Sequence, residues 1–334
     1  NEIGELGVIL LMFFIGTGIN RLDFPKSLKR PLLGTLSQLL LSFAFMVITG
    51  QILNWSWQVI ILLSFVISLS SSAIIFQYLS NTGQIKSKIG LLTSGVLIMQ
   101  DILIVPMMLT LNFMAKGKLE TIELARTVVG GLAILIFMHF AIRKKLIKIP
   151  FRHDLIRDHD LQVFLGFVLC FGMAQVSHWF GLSAALGALL AGILVGQDKS
   201  TQWLDHALVP FRVFFLAFFF LAVGLQLNLH FAYQNIGVIS LITLAVMVIN
   251  SLINAMIFKG MGSTWHDSIY AGALLSQIGE FSFVLASAAA SLGVIGDYSY
   301  QMSLAVITAT MMISSVWIGI IQNFIYKLPK LPQN

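Results

Sequence analysis

Gln100 and Asp101 stand side by side in an otherwise apolar run, GLLTSGVLIMQDILIVPMM at 90–108. This run is long enough to cross a bilayer as a helix. An ionisable residue there costs roughly 2.5 to 17 kcal/mol and usually marks a functional site, although a purely structural carboxyl group is the alternative. Carboxylate and amide oxygens are hard ligands that suit an alkali cation. Because burial disfavours the ionised carboxyl group, we expect a proton and a monovalent cation to compete for Asp101.

Two other apolar runs have polar centres with weak helix propensity. Serine and glycine allow a membrane helix to unwind, and paired interruptions of this kind point to a transporter's midplane site, where free backbone carbonyls face a cation. Close helix packing is the alternative reading of such residues. We expect two broken helices, with the cation near Ser70, Ser71 and Ser72 in the first and near Ser276, Gln277 and Gly279 in the second.

Three further polar residues have roles that the sequence leaves open. Glu280 can add charge to the site or cap the half-helix that begins near Gly279, and we favour the cap because acidic residues suit a helix N-terminus. Asn250 lies in the middle of an apolar run, where it reaches the site or bonds across helices. His178 ends another run, as amphipathic residues at a membrane interface commonly do.

The composition is that of a polytopic all-α membrane protein. Of its 334 residues, 57% are hydrophobic and only 10% are charged, whereas a soluble domain has about 25% charged residues. The net charge of +6 comes from basic residues in short loops, which orient a protein in the bilayer and do not indicate nucleic acid. With Cys170 as the single cysteine, an intrachain disulfide is excluded.

Apolar runs of spanning length recur along the whole chain, and basic loops alternate with less basic ones. This alternation predicts an N-terminus outside and a C-terminus, with Lys327 and Lys330, in the cytoplasm of a multi-pass plasma-membrane protein. Eleven spans are predicted: 4–20, 32–53, 57–79, 90–113, 121–141, 161–180, 182–196, 207–228, 236–258, 268–290 and 301–325.

An internal repeat relates the two halves of the chain. FFIGTGIN at 13–20 resembles FFLAVGLQ at 219–226, an offset of 224 − 18 = 206, and the same offset carries Ser70 onto Ser276. The matched spans are separated by an odd number of crossings, so the copies run in opposite directions, as in many secondary transporters. We therefore expect one repeat in 1–115, a connecting helix at 121–141 and a second repeat in 161–325. Because 161–196 has no counterpart, we expect two helices before Asn1.

Several motifs together resemble the Kef-type monovalent cation:proton antiporters. LIMQDILIVPMM resembles their Gln-Asp motif, SLSSSAIIFQYL and LLSQIGEFSF resemble their two crossing broken helices, and GLSAALGALLAGILVG and FFFLAVGLQLNL resemble two further spans. The resemblance implies a thirteen-helix fold, a homodimer with a dimerisation scaffold, and a mobile core that carries the carboxylate across the membrane.

The sequence departs from that pattern in two places. QWLDHALVPF at 202–211 holds Asp205 alone, where glutathione-gated potassium efflux members have a loop rich in acidic residues. Thirty positions before Glu280, several relatives have a basic residue and this chain has Asn250. The chain also contains no nucleotide-binding G-x-G-x-x-G fingerprint up to Asn334, and the resemblance allows a regulatory domain or subunit on the cytoplasmic side.

We therefore expect a secondary active antiporter, not an enzyme, that exchanges a monovalent cation, potassium ahead of sodium, for protons without a cofactor. A gated channel on the same fold and a non-transporting membrane sensor are the alternatives. A hydrolase built from the serines, His178 and Asp101 needs its nucleophile and base roughly 2.6–3.2 Å apart. We disfavour it because His178 is predicted at the end of one span and Asp101 near the middle of another.

Overall fold

A computed structural model describes residues 29–85, 87–116, 159–179, 184–196 and 227–327, together with single positions at 6, 9, 10, 12–14, 17, 211, 214, 217, 221, 224 and 225. The predicted span 121–141, most of the spans 4–20 and 207–228, Asp205, and the basic loops at 21–28 and 143–157 lie outside these residues.

All regular secondary structure in the described ranges is helical, as the sequence predicted. The helices are α1 (Lys29–Ile52), α2 (Trp57–Ser68), α3 (Ser72–Asn81), α4 (Lys88–Lys116), α5 (His159–Trp179), α6 (Ala184–Gly196), α7 (Leu229–Gln234), α8 (Ile236–Gly260), α9 (Trp265–Leu274), α10 (Phe281–Ser291) and α11 (Asp297–Lys327).

Among these helices, α1, α4, α8 and α11 are long and apolar enough to cross a membrane. The predicted spans 57–79 and 268–290 are each divided into two short helices, α2 with α3 and α9 with α10. At 1.5 Å per residue the short helices are about 15–18 Å long, roughly half of a bilayer's hydrocarbon core. Each pair therefore has the length to cross as two halves joined by a break.

Local hydrogen bonds fix where the half-helices begin. The hydroxyl of Ser71 accepts from the backbone N–H of Ile74 at 3.4 Å and so caps α3. Ser56 and Thr264 cap α2 and α9 in the same way. Serine and threonine are favoured at this position because their oxygens satisfy a backbone donor that the helix leaves free. The serines predicted to interrupt the helix therefore also start the next one.

The chain divides into two compact units, and each is described by itself. The first contains α5 and α6, which pack together. Gly187 of α6 lies against the Met173 carbonyl and the Ser177 side chain of α5, so a larger residue there has no room.

The second unit contains the other nine described helices and every candidate site residue except His178. One apolar cluster of this unit joins α3, α4, α8, α9 and α11, with Leu79, Leu97 and Phe258 fully buried. A cavity of about 620 Å³ lies among α1, α2, α8 and α11 and reaches Ile278 between α9 and α10. Leu275 of the cluster and Ile278 of the cavity lining place apolar side chains at the second break.

Candidate cation and proton site

The two helix breaks touch each other. The first comprises residues 69–71 and the second residues 275–280. The backbone N–H of Gly279 donates to the Leu69 carbonyl at 2.8 Å. A Cβ on Gly279 would lie 2.6 Å from the carbonyl carbon and oxygen of Ser70, closer than real side-chain contacts allow. The sequence prediction of two broken helices that cross is thus confirmed, and a glycine makes the close approach possible.

Asp101 of α4 is buried at the start of the half-helix α3, with 3% of its surface exposed. The Ser72 hydroxyl lies 2.9 Å from Oδ2 and 3.1 Å from Oδ1 of the carboxylate. A helix N-terminus carries a partial positive charge that favours a nearby anion. The break therefore places a donor and a favourable dipole at the carboxylate.

Gln100 holds the backbone of the same break. Its Oε1 accepts from the Ser70 backbone N–H at 3.1 Å, and its Nε2 donates to Oε1 of Gln38 at 2.6 Å. All three residues are buried. Gln100 and Asp101, adjacent on α4, thus bind the first break and the first residue of the half-helix that follows it.

The carbonyls of the second break already accept hydrogen bonds. Leu275 O accepts from Ser70 Oγ at 3.1 Å and from Asn254 Nδ2 at 3.4 Å. Ser276 O accepts from Asn250 Nδ2 at 3.2 Å. A cation that used these oxygens would compete with the donors for their lone pairs.

Asn250 joins both broken helices to α8. Its Nδ2 donates to Ile67 O at 2.9 Å as well as to Ser276 O, and its side chain is fully buried. Ile67 is in the last turn of α2 and Ser276 follows the end of α9, and the C-terminal end of a helix carries a partial negative charge. Of the two roles the sequence left open, bonding across helices is observed.

Glu280 and Gln277 lie on the second break beside this network. Glu280 occupies the N-cap position of α10, but its side chain does not form the capping bond that we favoured; its backbone is already helical, with φ −60° and ψ −32°. Glu280 lies close enough to Asp101 for the two carboxyl groups to interact electrostatically. Gln277 is fully buried, and within the described ranges neither its Oε1 nor its Nε2 has a hydrogen-bond partner. That open capacity suits a bound ion or water.

The remaining candidates lie elsewhere. The Ser71 hydroxyl accepts from the Ile74 N–H and so caps α3, and this hydrogen bond does not involve Asp101. His178 is exposed at the end of α5, as expected for an interface residue. No group of three or more His, Cys, Asp or Glu side chains in the described part of the chain could hold a metal ion.

Sequence reasoning missed three polar residues that serve the breaks. Gln38 binds Gln100, the Thr310 hydroxyl accepts from the Ile278 N–H at 3.3 Å, and the Ser282 hydroxyl donates to Val66 O at 2.8 Å. Gln38 could have been found, since an amide inside an apolar span is the signal that singled out Gln100. Thr310 and Ser282 resemble the many hydroxyls that bond within their own helix, such as Ser64 to Ile60 O.

Comparison with known proteins identifies the family of this chain. The family model described as the transmembrane sodium/hydrogen exchanger matches residues 1–324. The chain belongs to the sodium/hydrogen exchanger family. Members of this family are secondary transporters, so the expected absence of an enzyme activity agrees with it, and the hydrolase is set aside.

Two known proteins illustrate the relationship. The iron transporter MagA of Paramagnetospirillum magneticum (strain ATCC 700264 / AMB-1) is 29% identical over 316 residues, which cover 95% of this chain and 73% of that protein. The sodium proton antiporter MjNhaP1 of Methanocaldococcus jannaschii, solved at pH 8, has a TM-score of 0.65 at 16% identity and covers 97% of this chain and 85% of its own. At that identity the second likeness shows the antiporter fold alone.

Proposed function

We propose that this exchanger moves a monovalent cation, potassium ahead of sodium, against protons, and that it is a Kef-type member of its family. The observation that carries the proposal is the buried Asp101 carboxylate, bound by Ser72 at the crossing of two broken helices. A buried carboxylate at such a break is suited to bind a proton or a cation in turn.

The mechanism follows from the oxygens around this carboxylate. When Asp101 is ionised and no cation is bound, Ser72 donates its hydroxyl hydrogen to the carboxylate. When a cation binds, the same hydroxyl can turn and present a lone pair, because a serine both donates and accepts. Gln277 Oε1 offers a further oxygen, and Glu280 adds negative charge. A proton on Asp101 removes the charge that holds the cation, and alternating access then gives exchange.

The architecture expected from the resemblance belongs to the same proposal. The inverted repeat of 1–115 and 161–325 is supported by the positions of the breaks, which begin at Leu69 and Leu275, an offset of 275 − 69 = 206. We further infer a homodimer with a cytoplasmic C-terminus.

Iron is a second candidate substrate, because the relative named above is called an iron transporter. The oxygens of Asp101, Ser72 and Gln277, with the carboxylate of Glu280, are hard donors of the kind that alkali cations take, whereas imidazole and thiolate ligands are the usual marks of a transition-metal site. The chemistry of the site therefore favours the monovalent cation, and iron(II) enters the test as a separate arm.

Reconstitution with an internal pH dye tests the proposal directly. Proteoliposomes receive potassium, sodium, rubidium, lithium or iron(II) in turn, with empty liposomes as the control. We expect cation-dependent proton movement, strongest with potassium. Single-channel current steps without obligatory proton movement would favour the gated channel, and the absence of any cation-dependent proton flux would favour the sensor.

A further inference from the structure

Gln38 is a buried amide of α1 that the exchange mechanism above does not use. Only 1% of its surface is exposed, and it lies on the inward face of α1 with Thr35 and Ser42. Its Oε1 accepts from Gln100 Nε2 at 2.6 Å, and Gln100 Oε1 accepts from the Ser70 N–H at 3.1 Å. One continuous chain of hydrogen bonds thus runs from α1 through α4 to the first break.

The Ser70 backbone N–H, at the end of this series of hydrogen bonds, determines the orientation of both the Gln100 and the Gln38 amide. A backbone N–H can only donate, so the Gln100 atom that faces Ser70 has to be the oxygen. The other Gln100 atom is then the nitrogen, which donates, so the Gln38 atom that faces it has to be oxygen as well. Amide orientations are otherwise assigned from their surroundings. Here the backbone of Ser70 allows a single arrangement.

We propose that Gln38 is a positioning residue for the cation site. This inference rests on the proposed exchange function. Gln100 and Asp101 are neighbours on α4 and bind positions two residues apart, Gln100 at the Ser70 N–H in the break and Asp101 at the Ser72 hydroxyl at the start of α3. Gln38 fixes the Gln100 amide, the amide fixes Ser70, and Ser70 fixes where the Ser72 oxygen stands relative to the carboxylate.

Loss of the Gln38 oxygen would leave a buried Gln100 N–H without an acceptor, which is costly in a buried site. The amide would turn to find another partner and release the Ser70 N–H. The Ser72 hydroxyl would then no longer be held in one place, and the cation would lose a preorganised ligand. Cation affinity should therefore fall more than the maximal exchange rate.

This role is tested by variants that distinguish the effect of the Gln38 acceptor oxygen from the effect of its side-chain volume. Q38M keeps a similar volume without the oxygen, and Q38E keeps an oxygen that can accept from Gln100. S42A removes a buried hydroxyl one turn away that has no hydrogen-bond partner among the described residues, and it serves as the matched control. Half-maximal cation concentration and maximal rate are measured in proteoliposomes, and thermal melting is followed in detergent.

Q38M should raise the half-maximal cation concentration about tenfold, which corresponds to about 1.4 kcal/mol. Its maximal rate should change much less. Q38E should return the concentration towards the native value, and S42A should leave it unchanged. A merely structural role for Gln38 would lower the melting temperature of Q38M with an unchanged cation concentration for half-maximal rate, and that result would overturn the inference. So would a Q38E variant as weak as Q38M.

Two further variants keep the outcome interpretable. If Q38M fails to fold, Q38N retains the amide on a shorter side chain, and native-like affinity in Q38N would count against the inference. D101N is assayed beside them. Exchange by D101N would defeat the proposed function itself, whereas an inactive D101N with a native-like Q38M would defeat only the role of Gln38.

Discussion

The Ser72 hydroxyl lies within hydrogen-bond distance of both oxygens of the Asp101 carboxylate, 2.9 Å from Oδ2 and 3.1 Å from Oδ1. Ser72 is also the first residue of α3, so the carboxylate faces the positive end of that half-helix. Several relatives in the family that the sequence resembles have a basic residue where this chain has Asn250. In the proposed mechanism, the Ser72 hydroxyl and the dipole of α3 are the groups that stabilise the ionised Asp101 when no cation is bound.

Replacing Asp101 with asparagine should abolish exchange while leaving the fold intact. The asparagine oxygen can still accept from Ser72, but the neutral amide neither releases a proton nor holds a cation by charge. D297N, which removes an exposed carboxylate in the first turn of α11, is the control and should exchange normally. Dye-reported proton flux and thermal melting are measured for both. Undiminished flux in D101N would refute the mechanism.

Raising the pH should lower the cation concentration needed for half-maximal exchange. In the proposed mechanism a proton occupies Asp101 at low pH and the cation has to displace it, whereas at high pH the carboxylate is free to bind the cation. Where the proton holds the site, strict one-for-one competition changes this concentration by about tenfold per pH unit. Cation titrations at several pH values measure it, and a concentration that does not vary with pH would exclude competition at one carboxylate.

Replacing Glu280 with glutamine should weaken cation affinity more than stability. The side chain makes no capping bond to α10, so its amide analogue removes charge near Asp101 without removing a cap. We expect a higher half-maximal cation concentration and a melting temperature close to that of the native protein. The opposite pattern, a lower melting temperature with unchanged affinity, would restore the capping role.

Replacing Asn250 with alanine should destabilise the protein. It removes the donor to Ile67 O and Ser276 O, and each buried polar group left unsatisfied costs about 1–3 kcal/mol. The melting temperature in detergent should fall, whereas N323A, at an exposed asparagine of α11, should melt like the native protein. Equal melting of N250A and N323A would mean that Asn250 does not hold the crossing.

The sequence predicted the parts of the site whose types are out of place in an apolar helix. Polar residues stand out in an apolar run, as Asp101, Gln100 and the serines at 70–72 do. The repeat offset of 206 then related Ser70 to Ser276 in the second break. The boundaries of α1 and α8 were predicted to within a few residues, because each helix coincides with one apolar run in the sequence.

Partners and bond directions could not be predicted in this way. From the sequence alone, a backbone carbonyl at a helix break is expected to be free to bind a cation. In the fold, the side chains of Asn250, Asn254 and Ser70 donate hydrogen bonds to the carbonyls of the second break. Nothing in the sequence indicates that the Ser70 hydroxyl donates to the Leu275 carbonyl, because the two residues are far apart along the chain. Likewise, acidic residues suit helix starts in general, and the helical backbone at Glu280 decides that its side chain does not cap.

The contact between Gly279 and Ser70 also bears on leakage. Because not even a methyl group fits between these two backbones, neither water nor a bare ion has room to pass between them. The first break and the second are therefore in direct backbone contact at this point, with no gap between them. In the exchange proposed above, a contact this tight would oppose the passage of water beside Asp101 and would help to keep proton and cation movement coupled.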